Sequence, residues 1–287
     1  MIYTLKNNHL TVAIDTMGAE LTSVMNRDDY EYIWNGAEWL DHAPILFPTC
    51  GKLKDGKYTS CGREYKMISH GFTRRTEFKI AESTHNSISL TLEPNDDIRA
   101  VYPFDFKLTA SYKLDENKVY ASFKVENTGK HILPYMLGWH PGFVLDGNAP
   151  INSFYVDFGE KTSLTRYTLQ NGPFINPFYT SYSLNDGKYY LDEEEIYSND
   201  TMIFKDVPSA VTLRGEGTDR SITLTYSNNL PYFCIWKAPY TNARFICLEP
   251  WSDLPSDGET PENFDSRQMS RLSAGMSADY NYSVEFN

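Results

Sequence analysis

Short stretches in which apolar and polar residues alternate recur along the whole chain. Alternation with a period of two is typical of β-strands that bury one face and expose the other. The stretches with this pattern, or with many β-branched and aromatic residues, are 10–15, 87–92, 106–114, 119–126, 154–158, 201–204, 222–226, 232–236, 245–248 and 280–286. The pattern therefore predicts many short strands from one end of the chain to the other.

Residue pairs that favour tight turns separate these stretches. Asn or Asp precedes Gly at 35–36, 55–56, 146–147, 171–172, 186–187 and 257–258, and such pairs tolerate the positive φ angles that tight strand connections need. Helical character is confined to 192–199 and 265–272, and neither stretch carries an apolar stripe long enough to pack a full helix. The sequence predicts an all-β fold, a large antiparallel β-sandwich with few short helices.

The chain shows no sign of a division into parts. It has no repeat of fixed period, no low-complexity tract and no Pro/Ser-rich linker, so we expect one domain over residues 1–287. Two irregular stretches, 40–58 and 250–264, are too long for hairpin turns. Long ordered loops on a β scaffold are where binding residues usually lie.

Composition narrows the choice of partner and compartment. Aromatic residues make up 15% of the chain, which supports a β-rich fold. The net charge of −12 argues against nucleic acid or a membrane as a partner, because anionic partners are bound by clustered Lys and Arg. The expected ligand is neutral or carries one local charge.

The N-terminus has no signal-like pattern and no apolar stretch nears the length of a membrane span, so we expect a cytoplasmic protein.

The four cysteines show no metal-binding or redox spacing. Cys50, Cys61, Cys234 and Cys247 form no C-x-x-C or C-x-x-H arrangement. A chain of this length does not need disulfides to fold. We interpret all four as reduced packing residues.

Three short runs place ionisable residues among Gly, Pro and aromatic neighbours. They read His-Gly-Phe-Thr-Arg at 70–74, Gly-Trp-His-Pro-Gly-Phe at 138–143 and Leu-Glu-Pro-Trp at 248–251. Imidazole titrates near neutral pH, and burial raises the pKa of a carboxyl group. We interpret His70, His140 and Glu249 as a general acid/base set, whose chemistry needs no metal and no cofactor.

Local geometry adds two expectations. In an extended segment His70, Phe72 and Arg74 would share one face, so that Arg74 would contact a ligand that His70 also contacts. Glu249 would end its strand, because Pro250 would force the chain out of the sheet.

Each run also has a structural interpretation. His70 would then be a loop histidine with Arg74 in a surface ion pair. His140 would be a core histidine, and Glu249 a solvent-facing side chain on an edge strand. The other four histidines have generic neighbours and read as surface residues: His9, His42, His85 and His131.

Aromatic side chains near the runs suggest a carbohydrate ligand, because aromatic faces stack on the apolar C–H faces of sugar rings. Trp139, Phe143 and Trp251 would form such a wall. Two His and one Glu are also able to hold zinc, but none of them shows chelate spacing such as H-x-x-x-H, so we expect no metal. Nucleophile elbows and phosphate-binding or dinucleotide-binding glycine motifs are absent from the sequence.

In this order the motifs resemble those of the aldose 1-epimerase family, also called galactose mutarotases, and most closely its bacterial mutarotase-related branch. The resemblance covers most of the chain: Gly-Ala-Glu-Leu at 18–21, Leu-Phe-Pro at 46–48, Gly-Lys-Leu-Lys-Asp-Gly at 51–56, Tyr-Pro-Phe at 102–104 and the three runs above. It implies a galactose mutarotase-like supersandwich whose open face binds an aldose without a metal.

The resemblance also implies roles for single residues. Glu249 matches the general base, His140 the general acid, and His70 a histidine that binds and polarises the sugar. The pair would open the sugar ring and close it as the opposite anomer. Implied sugar contacts are Arg74, Lys52, Asp200, Trp139 and Trp251. Lys52 stands where the galactose enzymes have an Arg, and a role of Asp200 at the N-terminus of a turn is an equal alternative.

Two other functions stay open on this sequence. The related hexose-6-phosphate mutarotases carry a further Arg before the Pro-Ile-Leu-Phe-Pro stretch at 44–48, where this chain has none. A sugar-binding protein without catalysis would keep the aromatic wall and hold His140 and Glu249 too far apart to act on one ring. We expect a small-molecule sugar as ligand and either a monomer or a homodimer.

Overall fold

The computed structural model describes residues 1–287, most of whose regular structure is β-strand. The two α-helices are short: α1 (Asp96–Val101) and α2 (Glu193–Asn199). The strands are β1 (Ile2–Lys6), β2 (Leu10–Asp15), β3 (Glu20–Asn26), β4 (Ile45–Leu46), β5 (Lys57–Ser60), β6 (Arg63–Lys66), β7 (Lys79–Ser83), β8 (Ser87–Leu92), β9 (Phe106–Asp115), β10 (Lys118–Asn127), β11 (Leu133–Tyr135), β12 (Gly138–Trp139), β13 (Gly142–Val144), β14 (Phe154–Asp157), β15 (Ser163–Gln170), β16 (Phe174–Ser183), β17 (Lys188–Tyr190), β18 (Met202–Lys205), β19 (Ala210–Gly215), β20 (Ser221–Tyr226), β21 (Tyr232–Trp236), β22 (Phe245–Trp251), β23 (Ser270–Leu272) and β24 (Ser277–Phe286). Single 3₁₀ turns occur at Lys54–Gly56, Thr73–Arg75 and Ile151–Ser153.

Two large antiparallel sheets contain most of the strands. One has nine strands in the order β17-β14-β19-β20-β24-β10-β9-β8-β7, and the other has eight, β16-β15-β18-β21-β22-β12-β4 with β13 beside β22. A three-stranded sheet, β1-β2-β3, and the pairs β5-β6 and β11-β23 complete the fold. This arrangement confirms the predicted all-β antiparallel sandwich.

The main core lies between the two large sheets. Residues of β9 and β10 alternate between buried and partly exposed positions, as a sheet with one covered face requires. Phe123 of β10 and Tyr282 of β24 both contact Trp139 of β12, with ring centroids 6.0 and 5.2 Å apart. These contacts join the two sheets within one continuous cluster of 70 buried apolar residues.

Strand β22 is buried along its whole length, because both of its faces are covered. Ile246 and Leu248 belong to the main core. Phe245 and Cys247 point to the opposite side and belong to a second, smaller cluster with Trp34, Trp39 and Trp236 around it. Glu249 follows Cys247 by two residues and therefore lies on this second face of the sheet.

Most predicted strands are confirmed, and three of them, β2, β8 and β21, have the predicted bounds. The predicted helical turn at 192–199 is confirmed as α2, but 265–272 is not helical and ends in β23. Helix α1 was not predicted; Asn95 caps it by accepting a hydrogen bond from the Ile98 N–H at 2.9 Å. Neither helix has the length and apolar character that a bilayer crossing requires.

The expectation that Pro250 ends the strand is wrong. β22 continues to Trp251, and Pro250 pairs with Phe233 of β21. On the opposite side, the N–H groups of Leu248 and Ser252 donate to the carbonyls of Pro141 and Leu137, and Pro250, which has no N–H, leaves a break in this ladder between them.

Candidate active site

A cavity of about 320 Å³ opens on the outer face of β21 and β22, a size at the lower end of the range for small-molecule sites. It brings together every predicted site residue except Trp139 and Phe143: His70, His140, Glu249, Arg74, Lys52, Asp200 and Trp251. These residues come from chain segments far apart in sequence, so the cavity exists only in the folded protein.

Sheet register places His140 beside Glu249. β22 pairs with β12 at Gly138↔Trp251 and with β13 at Gly142↔Cys247, and this single register puts His140 across from Glu249. Cross-strand neighbours have Cβ atoms about 4.5–5.5 Å apart. His140 Nε2 accordingly lies 3.2 Å from Glu249 Oε2.

Burial controls the charge of this pair. The Glu249 side chain is 1% exposed, and burial raises its pKa well above the ordinary value, an effect that the nearby Trp251 indole opposes. Burial also lowers the pKa of His140, and the neighbouring His70 adds to the shift. Both directions favour the uncharged forms of the two side chains.

Several polar atoms at this base have no well-aligned hydrogen bond within the protein. They are both carboxylate oxygens of Glu249, Nδ1 of His140 and Nε1 of Trp251. Buried polar groups are normally hydrogen-bonded. The base of the cavity therefore offers donors and acceptors to a polar ligand.

The backbone fixes the tautomer of His70. The Gly51 N–H donates to His70 Nδ1 at 3.2 Å, and the His70 N–H donates to the Gly51 carbonyl at 2.8 Å. Burial, with the charge of Arg74, lowers the pKa of His70 to about 3, so the ring is neutral. Because Nδ1 accepts, the proton is on Nε2, which can donate to a ligand.

The expected extended segment at 70–74 is not formed. His70 and Gly71 both have positive φ angles, 64° and 74°. A Cβ on Gly71 would lie 2.0 Å from the Phe47 carbonyl oxygen, so glycine is required there. The turn sends Phe72 into the core and returns Arg74 to the cavity from a 3₁₀ turn.

The predicted aromatic wall is only partly correct. Trp139 is fully buried, and its Nε1 donates to the Ala43 carbonyl at 2.9 Å. Adjacent strand residues point to opposite faces, so Trp139 enters the core because His140 faces the cavity; Phe143 is fully buried as well. Trp139 and Phe143 are therefore corrected to core residues.

Two tryptophans that the sequence did not indicate replace them. Trp39 and Trp236 line the cavity with Trp251, and their rings lie 5.0 and 5.4 Å from the His140 ring. Trp236 ends the predicted strand 232–236, and Trp39 precedes the long loop at 40–58. Both positions were visible in the sequence, but neither carries a motif.

The cationic side chains of the cavity have different partners. Arg74 Nη1 contacts the buried Asp41 at 2.8 Å, and Arg75 Nη1 contacts the same carboxylate at 2.5 Å. Arg74 also donates to the Ser69 carbonyl at 3.1 Å. Lys52 lines the cavity and forms no ion pair. Arg74 thus enters the site paired with a carboxylate that it shares with Arg75, whereas Lys52 has no ion-pair partner.

Asp200 reaches the cavity from the end of α2. It is the C-cap residue with φ 60° and ψ −58°, a conformation that non-glycine residues rarely adopt. Burial raises its pKa. Asp200 lines the cavity, and it lies at the C-terminal end of α2 rather than at the N-terminus of a turn.

Two expectations about other side chains need correction. Cys61 is exposed, whereas Cys50, Cys234 and Cys247 are buried, so only three of the free thiols pack in the interior. His42 is half-buried rather than exposed, and its backbone N–H donates to the buried Glu20.

Comparisons with known proteins agree with this geometry. A family model described as aldose 1-epimerase matches residues 1–260. The chromosomal protein LacX of Lactococcus lactis subsp. lactis is 30% identical over 276 residues, 90% of each chain. A galactose mutarotase related enzyme from Lactobacillus acidophilus has 27% identity and a TM-score of 0.93, covering 100% of this chain and 97% of that one. A galactose mutarotase-like protein from Lactobacillus casei has the same identity and TM-score and covers 100% of both chains.

Proposed function

The chain belongs to the aldose 1-epimerase family, and from this we propose that it interconverts the α and β anomers of a free aldose. The observation that carries the proposal is the His140–Glu249 contact of 3.2 Å at the base of a cavity lined by tryptophans. Ring opening requires an acid and a base that reach one sugar together, since the anomeric hydroxyl loses a proton while the ring oxygen gains one; two side chains this close can both reach oxygens bonded to the same carbon.

The chain's own residues supply each proton transfer. Sugar hydroxyls satisfy the unpaired atoms of Glu249 and His140, which stabilises the form with a carboxylate and an imidazolium. Glu249 accepts the proton of the anomeric hydroxyl as His140 delivers one to the ring oxygen, and the ring opens to the aldehyde. Rotation about the C1–C2 bond exposes the other carbonyl face. The pair then acts in reverse, so the cycle uses no cofactor.

The remaining cavity residues hold the sugar. His70 donates from Nε2 to a sugar oxygen, and Asp200 accepts from a hydroxyl group. The apolar face of the ring stacks against Trp39 and Trp236. The cavity of about 320 Å³ suits a monosaccharide better than a longer saccharide.

A free sugar fits the charges better than a hexose 6-phosphate. Phosphate is commonly bound by the two-pronged guanidinium of Arg. Arg74 already pairs with Asp41, a carboxylate that it shares with Arg75, and Lys52 offers a point charge rather than a two-pronged donor. The short His140–Glu249 distance favours catalysis over a binding-only function, which would not need the two groups in contact.

Polarimetry tests the proposal directly. Freshly dissolved α-anomers of glucose, galactose and other aldoses are followed with and without the protein, in weak buffer so that spontaneous mutarotation stays slow. We expect faster relaxation to the same endpoint, with a rate that falls in acid and in alkali because the pair must hold one proton. If no free sugar is accelerated but a hexose 6-phosphate is, the substrate assignment is wrong. If neither is, the binding-only alternative replaces the proposal.

A further inference from the structure

The proposed reaction leaves one buried thiol beside the site unused. Cys247 is a free, fully buried thiol on β22. It precedes Glu249 by two residues and so lies on the same face of the sheet. The nitrogen, sulfur and oxygen ligand atoms of His140, Cys247 and Glu249 all lie within 4.8 Å of one another.

These three side chains form the donor set of a metal site. Imidazole nitrogen, thiolate sulfur and carboxylate oxygen are the usual zinc ligands, and sites with three protein ligands leave a fourth position open. Metal–ligand bonds of about 2.0–2.3 Å place tetrahedral ligands about 3.5 Å apart. Side-chain shifts on the order of 1 Å would therefore bring the set from its observed spacing to that geometry.

A second observation also points to a ligand at this position. Both carboxylate oxygens of Glu249 are buried without a well-aligned hydrogen bond, as is Nδ1 of His140. The Glu249 side chain is 1% exposed and its one close polar neighbour is His140 Nε2 at 3.2 Å, and a buried carboxylate is costly unless a cation or further donors reach it. His140 and Glu249 line the cavity, which supplies the entry path.

We propose that His140, Cys247 and Glu249 bind a thiophilic divalent cation such as Zn²⁺, whose open coordination position faces the sugar cavity. Thiolate and carboxylate together balance the charge of the ion, and the imidazole binds in its neutral form. The chelate would form across two strands, so no short-range spacing in the sequence marks it. Since the ion occupies the two groups that move protons, it inhibits the reaction; this clause alone rests on the proposed function.

Cobalt spectroscopy tests the site without measuring activity. The full chain carrying Cys61→Ser, which removes the exposed thiol, is titrated with Co²⁺ after treatment with a chelator. We expect one ion per chain and a thiolate-to-cobalt charge-transfer band in the near ultraviolet. Cys247→Ala in the same background should lose the band and weaken binding by at least about tenfold, since even outer-shell changes have effects of this size.

Cys234→Ala is the matched control. Cys234 is also a buried thiol and pairs directly across from Glu249 on β21, but it is outside the three-residue set. It should keep the band. Circular dichroism verifies that each variant is folded. If Cys247→Ala does not fold, Cys247→Ser replaces it in the titration.

Two results would overturn the proposal: no charge-transfer band in the folded parent, or a band that survives the loss of Cys247. Polarimetry on chelator-treated protein separates this proposal from the proposed function. Cobalt bound through Cys247 without mutarotation would refute only the reaction. Mutarotation without cobalt binding would refute only the metal site.

Discussion

Glu249 is surrounded by groups that raise the free energy of its charged form. Cys234 lies across from Glu249 in the sheet register. Burial raises the pKa of the thiols of Cys50, Cys234 and Cys247, and a negative charge on Glu249 would raise them further. Thiols are weak hydrogen-bond donors, so they solvate a carboxylate poorly. This setting raises the pKa of Glu249, and the charged form of the side chain lowers the free energy of unfolding.

Glu249→Gln separates these two effects. The amide cannot accept the anomeric proton, so we expect mutarotation to fall by about 10²–10⁴-fold. A carboxyl whose pKa is raised in the folded state loses stability as pH rises above its ordinary value of 4.5. The variant should therefore unfold at the same or a higher temperature than the parent at neutral pH, with the difference vanishing below pH 4.5. Calorimetry at several pH values with polarimetry checks both; full activity would refute the assigned role.

His70 changes the stability of the protein with pH in the direction opposite to Glu249. Its pKa falls from 6.5 to about 3 on folding, so the unfolded chain binds a proton that the native protein does not. Stability is then lost as pH falls from 6.5 toward 3. His70→Asn should lose less stability over this interval than the parent, and it should also raise KM because the Nε2 donor is gone. Denaturant unfolding across the interval measures the first effect; identical slopes would show that His70 is not neutral in the native state.

At the scale of elements, helix α2 is held to the sheet by a buried lysine. Lys237 is 1% exposed. Its Nζ donates to the Tyr197 hydroxyl at 3.0 Å and to the Thr241 carbonyl at 3.1 Å, and it lies 3.3 Å from Glu193. Tyr197 and Glu193 belong to α2, which ends at Asp200 in the cavity. Lys237 therefore acts as a positioning residue for Asp200.

Lys237→Met should loosen this helix. Charged hydrogen bonds of this kind contribute about 1.5–3 kcal/mol, so we expect a loss of stability of that order. The displaced Asp200 should raise KM more than it lowers kcat, because the proton-transferring pair is untouched. Lys205→Met, a change of the same kind on β18 with no ion pair, should alter neither constant. Equal effects of the two variants on KM would contradict the positioning role.

At the scale of the whole molecule, burial is continuous across the sheets. One cluster of 70 apolar residues includes residues from the first strand to the last, and Phe123 and Tyr282 join the sheets through Trp139. Because the two sheets share this core, unfolding of one sheet would expose the apolar residues of the other to water, so we expect both to unfold together. We predict one cooperative transition, with equal calorimetric and van't Hoff enthalpies. Two separable transitions would show that residues 1–287 are not one domain.

The sequence by itself determined ten of the 24 strands and the candidates for chemistry. Alternation of apolar and polar residues is a local pattern, and it located β2, β8 and β21 with their observed bounds. His70, His140 and Glu249 were recognisable because Gly, Pro and aromatic neighbours surround each of them. The short helix α1 was missed, because its apolar positions are too few for a periodic pattern.

Only the tertiary structure decided which side chains face one another. Alternation shows that Trp139 and His140 point to opposite faces, but which face is the core depends on what packs against the sheet. The contact of His140 with Glu249, and the position of Cys247 beside them, follow from the register of β22 against β12 and β13. Register and packing join residues more than 100 positions apart, and a local pattern carries no information about partners at that distance.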